Sequence, residues 1–219
     1  MLIITSLAAA ALAVCTADAA SHPAASPPMI VTVVTLADVQ PSLVSRVLEE
    51  AAAIWRASGV TFVWRPVPRA TATRLDPPPA GAGALRIVIG DGHGVSHDNR
   101  LPLGWIAFDD DGTPAQDIYL SYRNAVAFMG NSPGVAGLVT QMPPLEIEIK
   151  LARAMGRALA HELGHYLLAS KAHTGRGLMQ ASHTASEFFE YSRRGFSIDA
   201  AQRQAIAARL REDAVVVSR

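Results

Sequence analysis

Residues His161–Met179 read HELGHYLLASKAHTGRGLM, and the way this stretch folds decides how the rest of the chain must be arranged around it. Residues four apart on an α-helix share a face, so His161 and His165 present two imidazole nitrogens to one point. Glu162 reaches the edge of the same place. Two neutral nitrogen ligands with a carboxylate held beside them are what a hydrolytic zinc requires. The alternative, a solvated helix face that carries these groups by accident, fits poorly: Leu159, Leu163, Tyr166 and Leu167 make the surrounding helix apolar, and a buried glutamate without a partner is costly.

Two histidines do not hold a catalytic zinc; a third protein ligand is needed, with the fourth position left to water. His173, His183, Glu187 and Glu190 are the candidates downstream. His173 lies eight residues after His165, about 12 Å further along an unbroken helix and out of reach. If His173 is the ligand, the helix must stop just after Leu168 and the chain must fold back over Ala169-Ser170-Lys171, with no glycine there to take a left-handed conformation cheaply. His173 is the first choice. Glu187 is the alternative and requires a second helix to carry its carboxylate to the metal.

The chain has 219 residues, half of them apolar, enough for one domain. We assign that domain to residues 29–219, as a sheet-and-helix part over 29–170 and a smaller helical and loop part over 171–219. Acidic and basic residues balance at 19 each, so no global field draws the protein to nucleic acid or an anionic membrane. A monomer is expected, with no nucleic-acid partner and no stable membrane association. Residues 1–19, an apolar run ending in Ala17-Asp18-Ala19, read as a secretory signal cut near Ala19, and 20–28 as a spacer. The single cysteine, Cys15, falls inside that signal. The mature, secreted protein is therefore expected to have neither disulfides nor thiolate ligands.

Met29–Leu36 is β-branched and apolar, as a buried strand should be. Pro41 opens a helix to Ser58 with Leu43, Val47, Leu48, Ala51, Ile54 and Trp55 at helical spacing, and Gly59 ends it. Val60–Trp64 is the next strand, which favours a parallel pair. Strands follow at Leu85–Ile89, Gly104–Phe108 and Asp117–Tyr122, then helices at Arg123–Met129, Leu145–Ala169 and Ile198–Arg211. The fold expected is α/β (α+β): a twisted mixed sheet, a long active-site helix and a small C-terminal subdomain.

The order HELGH, a later histidine, then Gly177-Leu178-Met179 resembles the metzincin clan of zinc endopeptidases. The resemblance covers most of residues 29–180 and implies a zincin fold whose fourth strand, here Gly104–Phe108, is an antiparallel edge above the cleft. It implies one catalytic Zn2+ on His161, His165 and His173, Glu162 as general base, and Met179 in a tight turn beneath the metal. A peptide or protein substrate would pair with Gly104, Trp105, Ile106, Ala107 and Phe108 through main-chain hydrogen bonds, with Trp105 and Phe108 lining the groove. The chain departs from the clan in three places. Leu168 stands where the clan has a glycine, Lys171 where it has its third ligand, and Ala181 where some members place a tyrosine.

Two loops are weaker candidates for a structural Ca2+ or Zn2+: Asp91-Gly92-His93-Gly94-Val95-Ser96-His97-Asp98, and Asp109-Asp110-Asp111-Gly112. The function expected is a secreted zinc endopeptidase. A catalytically inert zinc-containing binding protein on the same scaffold, and a zinc hydrolase with Glu187 as third ligand, are the alternatives.

Overall fold

The computed structural model describes residues 28–35, 39–67, 85–90 and 102–217. The expected secretory signal, Cys15 and the Asp91–Asp98 loop lie outside these residues. Five strands form one sheet: β1 (Met29–Thr35), β2 (Phe62–Pro66), β3 (Leu85–Gly90), β4 (Gly104–Phe108) and β5 (Pro114–Ser121). Their order is β2-β1-β3-β5-β4, with β4 antiparallel to β5 at one edge and every other pair parallel. The mixed sheet with an antiparallel edge is thus as the sequence led us to expect.

The central strand shows why. Leu85, Ile87 and Ile89 are wholly buried and Val88 nearly so, because a parallel strand in mid-sheet is covered on both faces. Arg86 is the polar exception. It sits opposite Asp117 in the β3–β5 register, and its guanidinium donates to both carboxylate oxygens, at 2.7 and 2.6 Å. A bidentate pair of this kind fixes register as well as charge, and Asp117 holds the Arg86 guanidinium above its ordinary pKa.

Helix α1 (Pro41–Arg56) begins at a proline, whose missing N–H costs nothing at a first helical turn. After it, Gly59 adopts a φ of +80° within the turn that leads to β2. Strand β2 starts at Phe62 rather than Val60, since Val60 still donates to the Trp55 carbonyl at the end of α1. Strand β5 is longer than expected at its start and stops one residue sooner. The Ser121 hydroxyl accepts from the Asn124 N–H and caps helix α2 (Tyr122–Gly130), which takes Tyr122 into its first turn.

Helix α3 (Pro133–Ala136) leads through a 3-10 turn at Val139–Gln141 to α4 (Pro144–Leu168), a helix of 25 residues packed across the sheet and against α1. Gly156 sets that packing distance: a Cβ there would stand 2.6 Å from the Glu50 Cβ and 2.8 Å from the Val47 carbonyl oxygen. Trp55 of α1 is fully buried and donates its indole N–H to the Ala160 carbonyl at 3.1 Å. Helix α5 (Ala185–Phe189), a 3-10 turn at Arg194–Phe196 and α6 (Ala200–Val217) complete the chain. No helix among the described residues is long and apolar enough to cross a membrane.

Candidate metal centre

Helix α4 ends at Leu168, and the next residue takes the left-handed conformation. Ala169 has φ 45° and ψ 47°, the only positive φ outside glycine among the described residues, and its N–H turns back to the His165 and Tyr166 carbonyls. Ser170 N–H donates to the His165 carbonyl at 3.2 Å. The chain therefore reverses where the spacing requires it and brings His173 back over the helix end. The ring centroids of His161, His165 and His173 lie 4.7, 5.3 and 4.9 Å apart in pairs. One donor atom from each lies within 4.8 Å of the others.

The two helix histidines are oriented from behind. His161 Nδ1 is 2.7 Å from the Leu178 carbonyl oxygen, and His165 Nδ1 is 2.7 Å from that of Ser170. A carbonyl only accepts, so each Nδ1 carries the proton and each Nε2 is left as a bare lone pair. These two Nε2 atoms are 3.0 Å apart. Two lone pairs facing each other at that distance repel unless a cation or a proton lies between them. Ligand nitrogens on one tetrahedral zinc, bonded at 2.0–2.1 Å, stand about 3.3 Å apart. Burial also pushes the His161 pKa down to about 4 and lowers that of His165, so both rings are held neutral, as ligands must be. The donor set and its hydrogen-bonded second layer fit a zinc ion.

Met179 lies directly underneath. It is 1% exposed, and a Cβ on Gly164, between the two helix histidines, would fall 2.2 Å from its sulfur. Its segment is pinned by Thr174 N–H to the Met179 carbonyl at 2.8 Å and by Leu178 N–H to the Ser197 carbonyl at 2.8 Å. Gly177 has a φ of +79°, and a Cβ there would stand 2.5 Å from the Ser197 oxygen.

Glu162 is enclosed between α4 and the start of β4, where the space above Gly104 leaves only 3.3 Å from a would-be Cβ to the Glu162 Cγ. Burial pushes its carboxyl up to about 8, against the pull of a backbone hydrogen bond from Ile106. Strand β4 thus roofs the site from Gly104 to Phe108, whose ring meets His165 edge-on at 6.1 Å. Trp105 is placed differently from our expectation. Alternation along the strand turns it to the opposite face, where it stacks on its cross-strand partner Tyr119 at 5.3 Å.

Beside His161 and Glu162 opens a cavity of about 550 Å³ lined by Leu103, Gly104, Phe128, Ala158, His183 and Phe188. Its far wall belongs to the segment after Met179, which carries no periodic signal, so this cavity was not foreseen from sequence. Nor were the Leu178 and Ser170 carbonyls, since any residue supplies one.

The other candidate ligands are occupied elsewhere. The Glu187 carboxylate accepts from the Thr184 N–H at 2.8 Å and the Thr184 hydroxyl at 3.0 Å, forming a capping box on α5. Those bonds hold its pKa below the usual carboxylate range. Glu190 accepts from the Ser186 hydroxyl. Neither joins the histidine group, which corrects the alternative built on Glu187. The Asp109 carboxylate likewise accepts from the Thr113 N–H at 2.7 Å and shapes the β4–β5 turn. No second donor group of metal-binding size occurs among the described residues.

No protein-family model matches this chain, and no curated protein sequence does. Among solved structures the chain is similar to the crystal structure of archaemetzincin from Methanopyrus kandleri, with 15% sequence identity, a TM-score of 0.49, and coverage of 84% of this chain and 96% of that one.

Proposed function

We propose that the protein is a zinc-dependent hydrolase of peptide bonds, with His161, His165 and His173 as the metal ligands, Glu162 as the general base and Met179 in the turn beneath them. The observation that carries this reading is the pair of unprotonated Nε2 atoms 3.0 Å apart on the helix face beside the half-buried Glu162. When bound, zinc supplies Lewis acidity, polarising the scissile carbonyl and acidifying water. Glu162 takes the proton from the attacking water and returns it to the leaving amine. Strand β4 binds the substrate main chain along its free edge, and the cavity beside Glu162 receives a neighbouring side chain of the substrate. The metzincin resemblance of HELGHYLLASKAHTGRGLM and the apolar leader over 1–19 support an endopeptidase acting outside the cell.

The test is cleavage of an unfolded protein, inhibited by a chelator, in wild type and in Glu162→Gln. The variant should keep its zinc and lose at least about 100-fold in rate; near-normal cleavage would remove Glu162 from the mechanism. Zinc retention should collapse in His173→Ala and persist in Glu187→Ala. A wild-type protein that holds zinc and cleaves nothing would instead be a binding protein on this scaffold.

A further inference from the structure

His183 is not one of the grouped donors, yet it is built into the same corner of the molecule. Its side chain is 4% exposed, stacked on Phe196 at 4.4 Å and edge-on to Phe188 at 5.8 Å. It also walls the cavity next to His161 and Glu162. Its Nε2 lies 3.4 Å from the Leu178 carbonyl oxygen, the atom that also takes the proton of His161 Nδ1. A carbonyl oxygen has two lone pairs and can serve both rings. With Nε2 directed at that oxygen, Nδ1 is buried 3.6 Å from the Glu187 carboxylate, beyond hydrogen-bond distance. The Leu178 N–H, in the peptide before the shared carbonyl, donates to the Ser197 carbonyl at 2.8 Å, so the two rings meet on the peptide that follows this anchor.

We propose that His183 is a positioning residue: through the Leu178 carbonyl it couples occupancy of the cavity to the orientation of the metal ligand His161. Whatever fills the cavity presses on the His183 ring, and the shared oxygen passes that displacement to His161. The inference rests on His161 being a metal ligand, as proposed above.

Cobalt in place of zinc reports on it without any turnover, since its visible absorption follows ligand geometry. The full-length protein is titrated with Co2+, and benzene, which carries no metal ligand, is then added to fill the apolar part of the cavity. Wild type should bind cobalt and shift its absorption on benzene addition. His183→Phe, which keeps the ring stacking and removes the N–H, should bind cobalt about 3–10-fold more weakly, a smaller loss than the 10–100-fold typical of direct partners of a ligand, and should not respond to benzene. His183→Gln, whose amide N–H has similar reach, should behave as wild type. An unchanged cobalt affinity and an intact benzene response in His183→Phe would overturn the proposal, as would a wild type that binds cobalt and ignores benzene. If His183→Phe fails to fold, His183→Gln decides: loss of affinity or of the benzene response in a folded His183→Gln protein overturns the coupling. A wild type that binds no cobalt would overturn the metal-site reading itself.

Discussion

The residues of the site come from two regions that are held in place by different means. Up to Leu168, His161, Glu162 and His165 ride on one 25-residue helix fixed against α1 and the sheet by a continuous buried face. From Ala169 onward, His173, Leu178, Met179 and His183 sit on a chain with little repeating structure, and individual interactions fix each turn of it. In the first region no single contact is decisive, because neighbours along the helix repeat the same constraint. In the second, each hydrogen bond or close approach has no understudy. Substitutions that remove a contact reaching into the second region should therefore cost more than those that thin the packing within the first.

The largest difference is expected at Arg157. Its guanidinium is fully buried and joins four segments: Nε donates to Glu50 of α1 at 3.0 Å, one terminal nitrogen to the Glu187 carbonyl and the other to the Glu190 carbonyl at 2.8 Å, while its face lies over Phe196 at 4.9 Å. Burial lowers its pKa and Glu50 raises it again, so the pair persists only while both partners are present. Arg153 adds a bond to the Phe189 carbonyl, and Arg193 neutralises the second oxygen of Glu50. These arginines hold a five-residue helix that would not persist alone. Arg157→Met should cost about 3–5 kcal/mol, as expected for a buried pair broken on one side. In the sheet, Ile87→Val should cost only about 0.5–1.5 kcal/mol. Urea unfolding of both variants measures the contrast, and equal losses would end it.

The same division explains what the sequence revealed. The apolar run in β3 and the helical spacing of apolar residues in α1, with strong helix formers through α4, are written into the sequence, so the sheet, its long helix and the shared face of His161 and His165 could be read directly. The turn after Leu168 was legible for another reason: His173 could reach the metal only if the helix stopped there, and Ala169 stops it. The wall of the cavity was not legible. His183 and Phe188 are placed by Arg157, whose partners are backbone carbonyls of Glu187 and Glu190, and a carbonyl leaves no mark in a sequence. Trp105 was misplaced because the side of a strand that faces the site depends on register, and Gly104, pressed against Leu120 and Glu162, sets that register.

Gly164 gives an intermediate effect, at the point where the two regions touch. Alanine in place of a helix-interior glycine ordinarily gains about 1 kcal/mol. Here the new Cβ would lie 2.2 Å from the Met179 sulfur and 3.1 Å from its terminal methyl, so the sign should reverse to a loss of about 1–3 kcal/mol from overpacking. Because Met179 follows Leu178, the strain should also weaken zinc binding. Met179→Ala in the Gly164→Ala background should recover part of the stability by giving the added methyl room. Thermal melting of the single and double variants separates a local clash from a general loss of helix: only the clash is relieved by the second substitution.

The smallest effect is expected at Ala169 and has the opposite sign. A non-glycine residue in the left-handed region costs about 1–2 kcal/mol, and Ala169 has φ 45° and is exposed, so burial of its methyl group repays little of that strain. Glycine would remove that strain, while its greater freedom in the unfolded chain would give back about 0.4–1 kcal/mol. Ala169→Gly should therefore stabilise the protein by about 0.5–1 kcal/mol, with zinc affinity unchanged because Ser170 keeps its bond to His165. Ala169→Val, β-branched in the same conformation, should destabilise it. A loss of stability on Ala169→Gly would mean that the helix does not end in a left-handed turn, and the path that returns His173 to the site would then have to be rebuilt.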